Sequence, residues 1–347
     1  MSSPGALLLN LGSPSSPDPR DVKRYLDQFL MDERVIDYPY WKRALLVRGI
    51  ILRVRPRKTA EAYRKIWTET GSPLVLTSLA QCRSVEEKVS IPVSMGMRYG
   101  EPSTASAVAS LLNRDVDRIL IFPLYPQYAT SSFETAYQEA IRVIREQAPE
   151  VATTLVQPFY RDPDYITALA ASVQPYLQNG EFDKLLISFH GIPERHLRKA
   201  DPSGTHCLSS KQCCAIAHPA HASCYRHQCL TAAQCLLDAL DIPRGKTFIS
   251  FQSRLGRQPW LRPYTDHILE RFAEEGIKRL YVLCPAFVSD CLETLEEIGI
   301  SGKADFERLS GGKLTLIPCL NEHPRWIQYL ADKINHWAIT LDQEDGE

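Results

Sequence analysis

Three side chains of this 347-residue sequence have the types and spacing for proton or metal work: His190, Glu293 and Glu297. His190 closes the apolar run Ile187-Ser188-Phe189 and is followed by Gly191-Ile192-Pro193. Glycine lets the backbone turn tightly there and proline stiffens the exit, so the imidazole is presented at a strand end instead of being packed away. Its ordinary pKa of about 6.5 suits proton acceptance at neutral pH. Glu293 and Glu297 are four apart and would share one helix face. Ser289 and Asp290 supply the polar residues expected at that helix's start. Two carboxylates at the carboxyl end of the strand ending in Cys284 could hold a divalent cation or relay protons. Spacing alone favours a solvated acidic face.

A second constellation lies between Asp201 and Leu230. Cys207, Cys213, Cys214, Cys224 and Cys229 are interleaved with His206, His218, His221 and His227. Such density in a reducing compartment argues for metal binding. The spacing matches no zinc-finger pattern closely, and the residues alone leave zinc level with an iron–sulfur cluster. A string of unligated surface thiols is disfavoured because exposed thiols oxidise. Cys82, Cys235, Cys284 and Cys319 fall in apolar patterns and read as buried packing residues.

The elements that must position these groups alternate. Strands are expected at Ala6–Leu11, Val93–Met97, Arg118–Pro123, Lys184–Phe189, Thr247–Phe251, Arg279–Cys284 and Leu314–Ile317, each a nearly continuous apolar run. Helices are expected at Ser132–Gln147, Thr231–Leu240, Pro263–Glu275 and Pro324–Ile339. That alternation specifies an α/β fold with mostly parallel sheets, whose ligands bind outside the strands' carboxyl ends. A weak echo between Leu7–Pro14 and Ile187–Pro193 suggests two similar halves. We expect residues 1–150 as one half and residues 151–320 as the other, the latter carrying the cysteine-rich insert at 204–229. A C-terminal helix within 321–347 would pack back on the first half.

Composition excludes several functions. Forty basic residues against forty-one acidic ones leave a net charge of -1, without the basic excess of a nucleic-acid binder. The N-terminus shows no basic n-region or cleavage site, so a cytoplasmic chain is expected, and ten cysteines then do not read as a disulfide framework. Residues 38–55 place aromatic residues before alternating apolar and basic ones. This suits a peripheral contact with the inner membrane, or an ordinary amphipathic helix covering the core.

Six motifs, in order and spanning about 290 residues, resemble the signatures of the ferrochelatase family. They are Asn10-Leu11-Gly12-Ser13-Pro14, Arg98-Tyr99-Gly100, Leu124-Tyr125-Pro126-Gln127-Tyr128, Ser188 to Pro193, Phe251-Gln252-Ser253-Arg254 with Pro259-Trp260-Leu261, and Phe287-Val288-Ser289-Asp290 with Glu293-Thr294-Leu295. The resemblance implies two Rossmann-like halves whose parallel sheets face a central porphyrin cleft, and insertion of Fe2+ into a porphyrin with loss of two pyrrole protons. It implies His190 as proton acceptor, Glu293 as its acidic partner, and Glu297 continuing a proton or metal path for the substrate iron. Leu11, Arg98, Tyr125, Ser132, Trp260 and Phe287 match positions that contact the ring or its propionates. Cys291 stands where some members carry histidine and Ser301 where others continue the acidic line, which shortens that line to Glu293 and Glu297.

Some members carry a [2Fe-2S] cluster, in part of the family on cysteines of an internal insert. The resemblance therefore favours [2Fe-2S] over zinc, on Cys207, Cys214, Cys224 and Cys229 with Cys213 in reserve. Likeness to Gram-negative enzymes in Gln252-Ser253-Arg254-Leu255-Gly256-Arg257 implies protoporphyrin IX, with coproporphyrin III as the alternative. The rival readings are a non-catalytic tetrapyrrole or metal-binding module and a chelatase for another metal such as cobalt.

Overall fold

The structure, a computed structural model, describes residues 3–178, 181–254, 256 and 258–344. Leu255 and Arg257 of the expected substrate motif and residues 345–347 of the expected terminal helix lie outside them. Among the described residues eight strands form two four-stranded parallel sheets. The first holds β1 (Pro4–Gly12), β2 (Val93–Tyr99), β3 (Arg118–Pro123) and β4 (Ala152–Leu155) in the order β2-β1-β3-β4. The second holds β5 (Lys184–His190), β6 (Thr247–Gln252), β7 (Arg279–Leu283) and β8 (Lys313–Leu316) in the order β6-β5-β7-β8. The order is the same in both, so the echo between the two strand-end sequences reflects a repeated architecture.

The apolar runs form these strands because helices cover them. Leu7, Leu8 and Leu9 of β1 and Leu185, Leu186 and Ile187 of β5 are wholly buried. Behind the second sheet, Phe272, Phe306, Leu280, Val282 and Leu314 pack into one core cluster. β4 escaped the sequence reading because Ala152, Thr153 and Thr154 of this edge strand are exposed, leaving no apolar run to find.

The chain divides into two compact units. One comprises Met1–Leu124, Thr130–Gln157 and Trp326–Glu347; the other comprises Tyr125–Ala129 and Pro158–Arg325.

Several expected elements change in ways that matter for chemistry. The helix expected from Thr231 starts at Tyr225 and runs to Leu240, with Cys224 at its N-cap position, so the insert feeds directly into it. The helix expected from Ser132 begins instead with a π-helical turn, Thr130–Glu134, which then becomes α-helical over Thr135–Gln147. Ser289 and Asp290 do not start the acidic helix. Its N-cap is Cys291, which forms a reciprocal cap with Thr294, and the α-helical part is only Leu292–Leu295. A π-helical segment, Glu297–Gly302, follows. Such single π turns recur at functional sites. Asp290 is instead buried under the Thr294 hydroxyl and the Asn321 amide, which both donate to it. Cys82, Cys284 and Cys319 are buried as expected, whereas Cys235 is only half-buried.

Candidate active site and the thiol insert

The second unit gathers the groups at the carboxyl ends of β5 and β6. His190 is the last residue of β5 and lies opposite Gln252, the last of β6. Beyond that pair the Gly191 N–H donates to the Gln252 carbonyl at 2.7 Å. A Cβ on Gly191 would lie 2.7 Å from the same oxygen, so only glycine allows the turn to pass so close. The turn is then pinned to the Trp260 segment: the Leu261 N–H donates to Ile192 at 3.1 Å and the Glu194 N–H to Pro259 at 3.0 Å.

The imidazole's tautomer follows from one contact. Nδ1 of His190 is 2.6 Å from the Gly191 carbonyl oxygen. A carbonyl only accepts, so Nδ1 carries the hydrogen and Nε2 carries the lone pair. The ring also meets Phe287 edge-on, with centroids 6.1 Å apart and planes at 77°.

Glu297 is held by a residue to which the motif reading gave no role. Ser253 donates its backbone N–H to Oε1 at 2.8 Å and its hydroxyl to Oε2. Ser253 does so at φ +67°, a left-handed conformation costly for a residue with a Cβ and found where surrounding structure enforces it. Burial raises the Glu297 pKa and the nearby Glu293 charge adds to the rise, while the Ser253 hydrogen bonds and His190 oppose it; the rise prevails. Glu293 is fixed through its backbone, whose carbonyl accepts from the Gln252 amide at 2.7 Å. Its side chain shares a hydrogen bond with the buried Cys291 thiol, whose pKa is raised by burial and by the Glu293 charge.

His190, Glu293, Glu297, Trp260 and Phe287 are thus brought onto neighbouring segments of one unit, to which Tyr125 also belongs. Leu11, Arg98 and Ser132 belong to the other unit. There Leu11 lies near the end of β1 and Ser132 in the π-helical turn. Arg98 is not left open at the surface. Its Nη2 donates to Asp32 at 2.6 Å and its Nε to Thr135 at 2.8 Å. Asp32 also accepts from the Tyr99 hydroxyl at 2.8 Å, from Thr135 at 2.5 Å and from the Arg34 N–H at 2.8 Å. Asp32 had no sequence signal, since Met31-Asp32-Glu33 reads as an ordinary polar helix exit.

In the insert, four thiols come into contact. Cys213 and Cys214 sulfurs are 4.0 Å apart, and the Cys224 thiol shares hydrogen bonds with those of Cys207 and Cys214. The Arg226 guanidinium reaches Sγ of Cys214 at 3.6 Å and of Cys213 at 3.9 Å. Cys229 is wholly buried one helical turn beyond Tyr225, with which it shares a hydrogen bond. The histidines face backbone instead of sulfur. His206 and His221 donate from Nε2 to the Cys213 carbonyl at 2.9 and 3.1 Å, and His227 donates from Nδ1 to the Cys214 carbonyl at 2.9 Å. Among the described residues no group of three or more His, Cys, Asp or Glu is already spaced to hold a metal ion.

The ferrochelatase family profile matches residues 3–337. The chain belongs to the ferrochelatase family. Ferrochelatases of Azotobacter vinelandii and Stutzerimonas stutzeri are 50% identical over 332 residues and 48% identical over 337 residues. These alignments cover 94% and 95% of this chain and 96% and 97% of the relatives. The ferrochelatase of Opitutus terrae is 48% identical over 338 residues, covering 95% of this chain and 96% of its own. Among solved structures, the sirohydrochlorin chelatase SirB from Bacillus subtilis subspecies spizizenii in complex with cobalt superposes with a TM-score of 0.53 at 10% identity. That superposition covers 96% of this chain and 94% of SirB, and it shows the shared chelatase fold. As a ferrochelatase, the chain is a metal chelatase that inserts Fe2+ into a porphyrin in haem biosynthesis.

Proposed function

We propose that His190 Nε2 accepts the pyrrole protons during insertion of Fe2+ into protoporphyrin IX. The observation that carries this role is the 2.6 Å contact of Nδ1 with the Gly191 carbonyl, which commits one ring nitrogen as donor and leaves the other basic. Metallation releases two protons, so an imidazole that takes one must pass it on before taking the next. Glu297, with its pKa raised by burial, is suited to receive it, and Glu293 extends the path. These carboxylates also offer hard oxygen ligands to the incoming ferrous substrate. Trp260 and Phe287 supply apolar faces for the macrocycle, with Tyr125, Leu11 and Ser132 as further contacts. Arg98 supplies a cation for a propionate while its other edge stays on Asp32. Binding energy from the large apolar ring supports its distortion. Steady-state insertion with Fe2+, Co2+ and Zn2+ into protoporphyrin IX and coproporphyrin III tests the substrate: Fe2+ with protoporphyrin IX is expected to give the highest kcat/KM. A higher value with coproporphyrin III reverses the assignment.

We propose further that the insert binds a [2Fe-2S] cluster through Cys207, Cys213, Cys214 and Cys224. Cys213 replaces Cys229 in the sequence-based set, because Cys213 lies in the thiol contact group while Cys229 is turned to Tyr225. Four soft thiolates suit such a cluster. When bound, a cluster supplies one-electron redox chemistry and ties the four thiolates together. Anaerobically purified protein is expected to show charge-transfer absorption beyond the protein peak, lost on chelation, in wild type and Cys229→Ser but not in Cys213→Ser. Colourless protein containing zinc sinks the idea.

A peripheral membrane contact through residues 38–55, by a cytoplasmic chain, completes the proposal. No helix among the described residues is long and apolar enough to cross a membrane. Trp41, Leu45, Ile50 and Val54 are each more than half exposed, at steps of four, five and four residues. The buried residues Arg43, Val47, Leu52, Pro56 and Ala60 step likewise. The five-residue step falls in the π-helical turn Val47–Ile51, whose wider repeat keeps both rows aligned. Alongside is a cavity of about 380 Å3 lined by Arg20, Lys23, Arg24, Asp27, Arg48 and Leu52, a basic surface suited to anionic headgroups. Co-sedimentation with phosphatidylglycerol vesicles is expected to weaken at least tenfold in Trp41→Ser/Ile50→Ser, given roughly 1.5–3 kcal/mol per buried apolar side chain. Failure of the wild type to bind vesicles, with or without porphyrin, removes the contact.

A further inference from the structure

We infer that Tyr225 is a positioning residue for insertion, which holds the His190 turn in place and connects it mechanically to the thiol insert. This rests on the assignment of His190 as the base. The peptide linking His190 to Gly191 is gripped on both sides. On one side its N–H donates to the Gln252 carbonyl at 2.7 Å. On the other its carbonyl accepts from the Tyr225 hydroxyl at 2.8 Å. The next carbonyl, that of Gly191, is the one that fixes the imidazole. Without the phenol, one side of that peptide plane is free to rotate, and the ring moves with it.

The phenol itself is firmly held. Tyr225 is buried, with its hydroxyl in contact with the Cys229 thiol one turn later on the same helix. A phenol has one hydrogen, and that of Tyr225 goes to the His190 carbonyl, so the thiol donates to the phenol oxygen. This gives Cys229 a task outside the thiol group. Tyr225 is also the first residue of its helix, immediately after Cys224. A change in what Cys224 binds therefore acts directly on the residue that supports the base. Gln228, one turn further, prevents the helix start from yielding. Its amide donates to the Ala222 carbonyl at 2.9 Å and its oxygen accepts from the Tyr128 N–H at 2.7 Å.

The test uses full-length purified enzyme. Tyr225→Phe keeps the packing and removes one hydrogen bond, which is worth roughly a factor of ten in rate when it serves only the reacting geometry. The expected result is a roughly tenfold lower kcat with the KM for porphyrin unchanged and the insert's absorption intact. A second variant, Cys207→Ser, perturbs the insert from a thiol remote in sequence from Tyr225. If the insert acts through Tyr225, Cys207→Ser lowers kcat in the wild type but adds little in the Tyr225→Phe background. Wild-type kcat in Tyr225→Phe overturns the positioning role, even if Cys207→Ser does not fold. Independent, multiplying losses overturn the connection to the insert. An active His190→Ala overturns the underlying assignment instead, so the failures are distinguishable.

Discussion

His190→Ala is expected to lower kcat for Fe2+ insertion by about 100- to 10,000-fold, the range for removing a positioned general base. The KM for porphyrin should change far less, because the apolar faces of Trp260 and Phe287 remain. The split matters because it separates proton transfer from packing: an enzyme that used His190 only for packing would lose binding and rate together. Insertion can be followed by the loss of porphyrin fluorescence, and binding by its change at zero metal. Retention of kcat within tenfold, with normal porphyrin binding, removes His190 as proton acceptor. His190→Asn is the informative companion: its amide can still donate to the Gly191 carbonyl but offers no basic nitrogen, so it should be as slow as alanine.

The second large effect is on stability. Asp32→Asn is expected to destabilise the fold by about 3 kcal/mol at neutral pH, since removing one partner of a buried ion pair strands the other. The Asp32 side chain is 4% exposed and that of Arg98 18%, so water does little to screen the loss. Burial by itself would push the Asp32 carboxyl up. The donors Thr135, Arg34 N–H and Tyr99, with the Arg98 charge, outweigh it and hold the group below the ordinary carboxylate range. A carboxyl with a lowered folded pKa contributes stability above its unfolded value of about 3.9, and loses it as pH falls through the folded value. The gap between wild type and Asp32→Asn should therefore be full at pH 7 and narrow below about pH 4. Urea unfolding at both pH values measures it, and a gap that widens on acidification contradicts the account. Arg98, deprived of its anchor, should also raise the KM for porphyrin.

Much of the fold was legible because seven of the strands are apolar runs with helices over both faces, a pattern that burial imposes directly. β4 was not, being a polar edge strand. The site was partly legible: His190 stood out because Gly191 and Pro193 announce a turn. Ser253 and Asp32 did not, since their importance comes from partners 44 and 66 residues away, Glu297 and Arg98. The expected regular acidic helix was wrong in form, because Glu293 and Glu297 straddle the change from α to π geometry. In the insert, density of cysteine raised the expectation of metal binding, but which thiols converge depends on where the helix begins. Only the helix start at Tyr225 separates Cys224 from Cys229.

The common strand order of the two sheets carries an evolutionary consequence. A chain built by doubling one ancestral half inherits two copies of each strand end, and two such copies begin with identical chemistry. In the echo between β1 and β5, Gly12 corresponds to Gly191, which sets Leu11 against His190. At these aligned positions the two strand ends now differ in kind, an aliphatic side chain at Leu11 and an imidazole at His190.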